Sequence, residues 1–287
     1  KISMMTTVIG AVINIILDPV FIFVLGMGVK GAALATVLSQ AVGAIWILCF
    51  LTGKKTILRL KKENMRLEVR VFGPCLALGI STFVMLSTES LLSISFTNSL
   101  SRYGGDVAVG AMTIITSINQ LVAMPVQGIC QGGQPIISYN YGADKPERVK
   151  KAFFTQFCAC VAYTFTFWAV IMFFPQVFAS IFTANKELVE YSSWALRIYM
   201  AGIFSTGFQI SCQQSFMALG QAKVSLLLAC LRKIILLIPL IFILPNFLDN
   251  KVFAVFLAEP VSDILAAAAT TITFLTLFNS ILKKDTK

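Results

Sequence analysis

Apolar residues along this chain run in long stretches instead of alternating with polar ones. Eight stretches reach roughly 20 residues or more, the length at which a helix crosses about 30 Å of hydrocarbon. Bounded by charged or turn residues, they cover 3–25, 31–51, 72–99, 107–139, 153–182, 194–219, 225–244 and 252–282. The strands of a membrane barrel would read as short, strictly alternating segments, and the sequence has none. The pattern predicts an all-α integral membrane protein with eight transmembrane helices.

Composition agrees. Hydrophobic residues make up 57% of the 287, charged residues 13%, and mean hydropathy is +0.83, which leaves too little polar surface for a water-soluble globule. Basic side chains gather on alternate connections, as retention of Lys and Arg on the cytoplasmic side requires. Lys54, Lys55, Arg59, Lys61, Lys62, Arg66 and Arg70 follow the second stretch, and Lys145, Arg148, Lys150 and Lys151 the fourth. Lys223, Arg232 and Lys233 are assigned to the connection after the sixth, and Lys283, Lys284 and Lys287 end the chain. With Lys1 they leave only Lys30, Arg102, Lys186, Arg197 and Lys251 of the 23 basic residues for the other side. Arg197 is then the single basic residue well inside a predicted span, snorkelling from its outer end. Both termini are expected in the cytoplasm. The net charge of +10 serves insertion and attraction to anionic lipid heads, which makes membrane lipid a partner and nucleic acid none.

Residues 53–71 interleave basic side chains with Ile57, Leu58, Leu60, Met65, Leu67 and Val69, as an amphipathic helix lying on the cytoplasmic membrane surface does. This linker divides residues 1–52, with two spans, from residues 72–287, with six. A weak internal repeat gives the division meaning. The run from Asp18-Pro19 to Leu25, followed by Gly31-Ala32-Ala33-Leu34-Ala35, is echoed by Ile238-Pro239 to Leu244, followed by Ala254 to Ala258. Spans one and two thus correspond to seven and eight, as in transporters built from two similar halves. A first half with six spans would be represented here by its last two, so the chain is expected to be a fragment whose missing partner is four preceding helices.

Several chemistries are excluded. There is no histidine, hence no imidazole relay, no nucleophile relying on a histidine base and few routes to a zinc site. The seven cysteines form no CxxC pair and read as small packing residues. No phosphate-cradling GxxxxGK loop occurs.

The informative residues are polar ones inside apolar runs. Asp18 lies in Ile13-Asn14-Ile15-Ile16-Leu17-Asp18-Pro19, and a carboxylate in hydrocarbon persists where a cation, a proton or water relieves it. Asn14 and Asp18, at i and i+4, share a helical face, and Thr36 on the next span can add a hydroxyl oxygen. Hard cations favour such oxygens, whereas a proton needs only the carboxylate. The alternatives are a helix-break cap for Asp18 and interhelical hydrogen bonding for Asn14 and Thr36. In the repeat, Asn14 and Asp18 align with Ile234 and Ile238, so architecture alone does not require the polar pair. Glu89, amid Ser87, Thr88, Ser90 and Ser93, fits a watery cavity. Gln120, Gln127 and Gln131, on the least apolar span, also read as cavity lining. Glu259 and Asp263, flanking Pro260, either line a cavity or cap the helix near the outer headgroups.

Three segments resemble the multidrug and toxic compound extrusion (MATE) family of secondary transporters. They are Asn14-Ile15-Ile16-Leu17-Asp18-Pro19, Gly31-Ala32-Ala33-Leu34-Ala35-Thr36, and the run from Gly128 to Ala143, which contains Gln131-Gly132-Gly133-Gln134-Pro135 and Ser138-Tyr139-Asn140-Tyr141-Gly142. The resemblance extends essentially from end to end. It implies twelve helices in two bundles around a central cavity, and an antiporter, not an enzyme, that exports organic cations and other xenobiotics while Na+ or H+ moves inward. By the same resemblance Asn14, Asp18 and Thr36 match a polar cation site, possible for Na+, completed by an acidic residue of the missing first span. Glu89 matches a position associated with ion coupling. An acidic residue of the tenth family span has no counterpart between Trp194 and Leu219.

The function expected is therefore cation-coupled multidrug efflux by alternating access, at the plasma (inner) membrane of a bacterium, with no cofactor beyond the coupling ion. The alternative is a flippase of the same superfamily moving lipid-linked oligosaccharide or peptidoglycan precursors. That would favour a cationic cavity, and the predicted spans carry almost no Lys or Arg. An intramembrane enzyme or a receptor fits the residues less well.

Overall fold

The computed structural model describes residues 2–53 and 69–284, and among them every regular element is helical. The amphipathic linker expected at 53–71 falls mostly on residues 54–68, outside the described residues. The chain divides into two compact units, Lys1–Phe72 and Gly73–Lys287.

In the first unit α1 (Ile2–Pro19) continues as a π-helical turn, Val20–Val24, and α2 (Val29–Thr52) packs against it. Pro19 has no N–H to give the preceding turn. The chain beyond it bonds five residues back, Leu25 N–H donating to the Val20 carbonyl at 2.9 Å. The buried residues of α2 are Gly31, Ala35, Ser39 and Gly43. Their strict four-residue spacing makes a stripe of small side chains, the pattern by which membrane helices approach closely. A Cβ added at Gly10 of α1 would lie 3.7 Å from the Ser39 carbonyl oxygen.

Most of α3 (Val69–Gly142) belongs to the second unit. A straight helix of that length would run about 110 Å, far more than a bilayer needs. Gly105, at φ 63 and ψ −160, breaks it into two. That conformation is accessible only without a Cβ. Leu92, Phe96 and Leu100 before the break share one core with Ile114, Ile115 and Ile118 after it. Then follow α4 (Pro146–Phe173), α5 (Pro175–Phe182), α6 (Lys186–Tyr199), a 3₁₀ segment (Met200–Ser205) and α7 (Thr206–Ala218). Next come α8 (Ala222–Cys230), a π segment (Leu231–Leu237), α9 (Ile238–Ile243), a 3₁₀ turn (Leu244–Asn246) and α10 (Lys251–Lys284). Among the described residues six stretches are long and apolar enough to cross a membrane, one of them Leu86–Gly142, which contains the Gly105 break. The divided α6–α7 run and the break bring the spans to the eight expected.

Boundaries differ where polar residues or proline intervene. The fifth span, expected at 153–182, is α4 followed by the short α5. Pro175 starts the new helix, and Phe174 before it leaves helical geometry at φ −125, ψ 49, as a residue preceding proline does. The sixth begins at Lys186, not Trp194, because the Asn185 side chain accepts from the N–H groups of Glu187 and Leu188 and caps a polar first turn. Arg232 and Lys233 lie in the middle of the apolar stretch Lys223–Asn246, not in the connection assigned to them. Arg197 is accordingly not the sole basic residue within a span.

Candidate functional site

Asn14 and Asp18 are both half-buried on one face of α1, and Asn14 Nδ2 donates to Asp18 Oδ1 at 3.5 Å. The turn that carries them runs directly into Pro19 and the π segment, so the pair stands where α1 loses regular geometry, a common setting for function in helices. Thr36 is exposed on α2, and its hydroxyl donates to the Ala32 carbonyl at 2.9 Å. Among the described residues no hydrogen bond joins it to Asn14 or Asp18. With the hydroxyl proton engaged by the backbone, the Thr36 oxygen keeps its lone pairs as acceptors.

The second unit holds a larger polar constellation, most of which the sequence did not reveal. Arg232 Nη2 lies 3.1 Å from Glu259 Oε1 and 2.6 Å from Asp263 Oδ1, with both acidic side chains buried. Beside it, Lys233 pairs with Glu89, whose side chain is 61% exposed. Glu259 and Asp263, four residues apart on α10, present adjacent carboxylates to the single guanidinium. They are neither helix caps nor open cavity lining; they are one half of a buried ion cluster. Glu89, expected by itself at a watery cavity, is the outer member of the neighbouring pair.

Three irregular backbones converge on this cluster. Arg232 and Lys233 belong to the π segment, Pro260 lies between the two acids, and the 3₁₀ segment packs on Pro260. A Cβ at Gly202 would come within 2.8 Å of Pro260 Cα and 3.0 Å of its carbonyl oxygen, so only glycine permits that approach. Ser262 Oγ donates to the Arg232 carbonyl at 3.0 Å, tying the π segment to α10. Tyr199, buried at the end of α6, lies within electrostatic range of Arg232, Glu259 and Asp263. The signal available in the sequence was the placement of Arg232 and Lys233 well inside an apolar run, ahead of an i, i+4 acid pair in the next span.

Gln120, Gln127 and Gln131 form an exposed stripe on the second half of α3, at spacings of seven and four residues that hold one helical face, with Met124 between them. Among the described residues no group of three or more Cys, Asp or Glu is arranged to hold a metal ion.

The sequence profile of the MatE family matches residues 81–243, more than half of the chain. The multidrug export protein MepA of Staphylococcus aureus NCTC 8325 is 26% identical over 286 residues, covering 96% of this chain and 60% of MepA. MepA of Staphylococcus saprophyticus is 24% identical over 267 residues, covering 92% and 58%. Among solved structures, a MATE protein crystallised with MaL6 superposes with a TM-score of 0.89 at 22% identity, over 98% of this chain and 63% of that one. An outward-facing multidrug resistance MATE transporter of the MOP superfamily gives a TM-score of 0.90 at 23% identity, over 98% and 63%. The chain thus spans about three-fifths of the length of the curated relatives it matches.

Proposed function

On the premise that this chain belongs to the MatE family, we propose that it is the C-terminal part of an antiporter that exports organic cations and other xenobiotics in exchange for inward-moving Na+ or H+. Membership makes it a transporter and not an enzyme, and its apolar helices make it a multi-pass membrane protein. Multidrug export is the activity carried in the name of the MepA relatives. The observation that carries the coupling is the Asn14–Asp18 pair, a half-buried carboxylate in a stretch whose mean hydropathy is 2.3.

The mechanism follows from what such a carboxylate does. When ionised it attracts a cation, and Asn14 and Thr36 can offer neutral oxygens to complete the shell of a Na+ ion. A proton would satisfy Asp18 alone. An ion shifts an alternating-access equilibrium only by the difference in its affinity for the two states, so Asp18 must be more accessible to cations in one state than in the other. At one-for-one exchange a tenfold ion gradient is worth about 1.4 kcal/mol and sustains about a tenfold substrate gradient. The basic residues outside the spans support cytoplasmic termini and residence in the inner membrane of a bacterium.

The flippase alternative is not favoured, although for a changed reason. The spans do contain Arg232 and Lys233, but each is held by carboxylates, so neither presents a free cation to a diphosphate. The test is efflux of a fluorescent organic cation from vesicles carrying the full-length protein under imposed Na+ or pH gradients. Acceleration by one of the gradients is the expected result; transport indifferent to both refutes the coupling.

A further inference from the structure

We propose that the Arg232–Glu259–Asp263 cluster is a proton-binding site, distinct from the Asn14–Asp18 site and not dependent on the coupling role given to Asp18. The titratable and charged groups that meet here are Glu89 of α3, Tyr199 of α6, Arg232 and Lys233 of the π segment, and Glu259 and Asp263 of α10. Three carboxylates face two cations, and Tyr199 brings no charge to balance them. Lys233 is committed to Glu89, which leaves one guanidinium for two buried acids.

An excess negative charge inside a membrane span is sustained only by a further cation. A proton fits that requirement better than Na+. Glu259 Oε1 and Asp263 Oδ1 are already occupied by Arg232 Nη2 at 3.1 and 2.6 Å. A metal ion would have to share those oxygens next to a fixed positive charge, whereas a proton needs one oxygen. Glu259 Oε2, Asp263 Oδ1 and Arg232 Nε are all buried without a hydrogen-bond partner, so the one guanidinium leaves polar atoms of both acids incompletely satisfied, and neutralising one acid lowers the cost of burying the pair. The proton passes from water to one of the two carboxylates, converting it to the neutral acid, and Arg232 is then matched by the remaining carboxylate. The packing of Gly202 on Pro260 and the Ser262 bond to the Arg232 carbonyl hold the acids against the guanidinium, so the two carboxyls cannot separate to dissipate the charge.

Infrared spectroscopy of the full-length protein in lipid tests this through the carbonyl stretch of protonated carboxyl groups at about pH 7, where exposed carboxylates are ionised. Asp18→Asn is the background for every measurement, so that a failure of this inference is distinguishable from a failure of the Asp18 reading. In that background one protonated-carboxyl band is expected. It should be lost on adding either Glu259→Gln or Asp263→Asn, each of which removes the excess charge. Adding Arg232→Gln should instead roughly double its intensity, because two carboxyls then lack a partner. Absence of the band in Asp18→Asn, which leaves the cluster untouched, overturns the proposal, as does a band unchanged by both acid replacements.

Discussion

Replacing Arg232 by alanine removes the one guanidinium that two buried acidic side chains share, while replacing its neighbour Lys233 removes the partner of a carboxylate that is 61% exposed. The residues are adjacent and both basic, so net charge and helix propensity change almost equally. The physics separates them. Breaking a buried ion pair by deleting one partner costs about 3–5 kcal/mol, because the survivor must either stay charged in a medium that solvates it poorly or take up a proton to escape that. Lys233 is itself only 14% exposed, but the survivor of its removal, Glu89, is 61% exposed, and a pair whose remaining partner is solvated is worth about 0–1 kcal/mol. For a unit of this size roughly 2–4 °C of melting temperature accompany each kcal/mol. Arg232→Ala should therefore lower the thermal midpoint of the purified protein by about 6–20 °C, and Lys233→Ala by no more than about 4 °C. The deficit is electrostatic, so adding Glu259→Gln and Asp263→Asn to Arg232→Ala should recover most of it. Equal losses for the two single variants, or no recovery in the triple variant, would show that the buried cluster does not set this difference.

Other outcomes follow from the backbone. Gly202→Ala forces a methyl against Pro260 and should destabilise by about 1–3 kcal/mol, visible as a lowered melting temperature. Gly105→Ala places a Cβ on a backbone at φ 63, ψ −160 and should cost about 1–3 kcal/mol in the same assay. Asn185→Ala deletes the two capping bonds of α6 and should cost about 1 kcal/mol, with Asn185→Asp restoring the wild-type midpoint.

The spans were legible because hydrocarbon imposes a length and an apolar composition that few other structures share. The break in α3 was likewise visible as the polar interval between residues 99 and 107, though its placement at Gly105 is a backbone property. What stayed hidden is pairing. A rule that reads Lys and Arg as markers of span ends moved Arg232 and Lys233 into a connection, because nothing local announces that Glu259, Asp263 and Glu89 wait on other helices. The first turn of α6 escaped for a related reason, since Lys186, Glu187 and Glu190 lower the hydropathy of residues that Asn185 nonetheless caps into a helix. The contact between Asn14 and Asp18 was legible from their i, i+4 spacing.

Coupling through Asp18 is tested most directly by Asp18→Asn, which keeps the shape of the side chain and removes its charge. In vesicles carrying the full-length protein, exchange of labelled for unlabelled organic cation reports substrate binding and the conformational cycle, and efflux under an imposed Na+ or pH gradient reports coupling. The account predicts that the variant still exchanges substrate but no longer responds to either gradient. A variant whose efflux follows the gradient as the wild type does would contradict it.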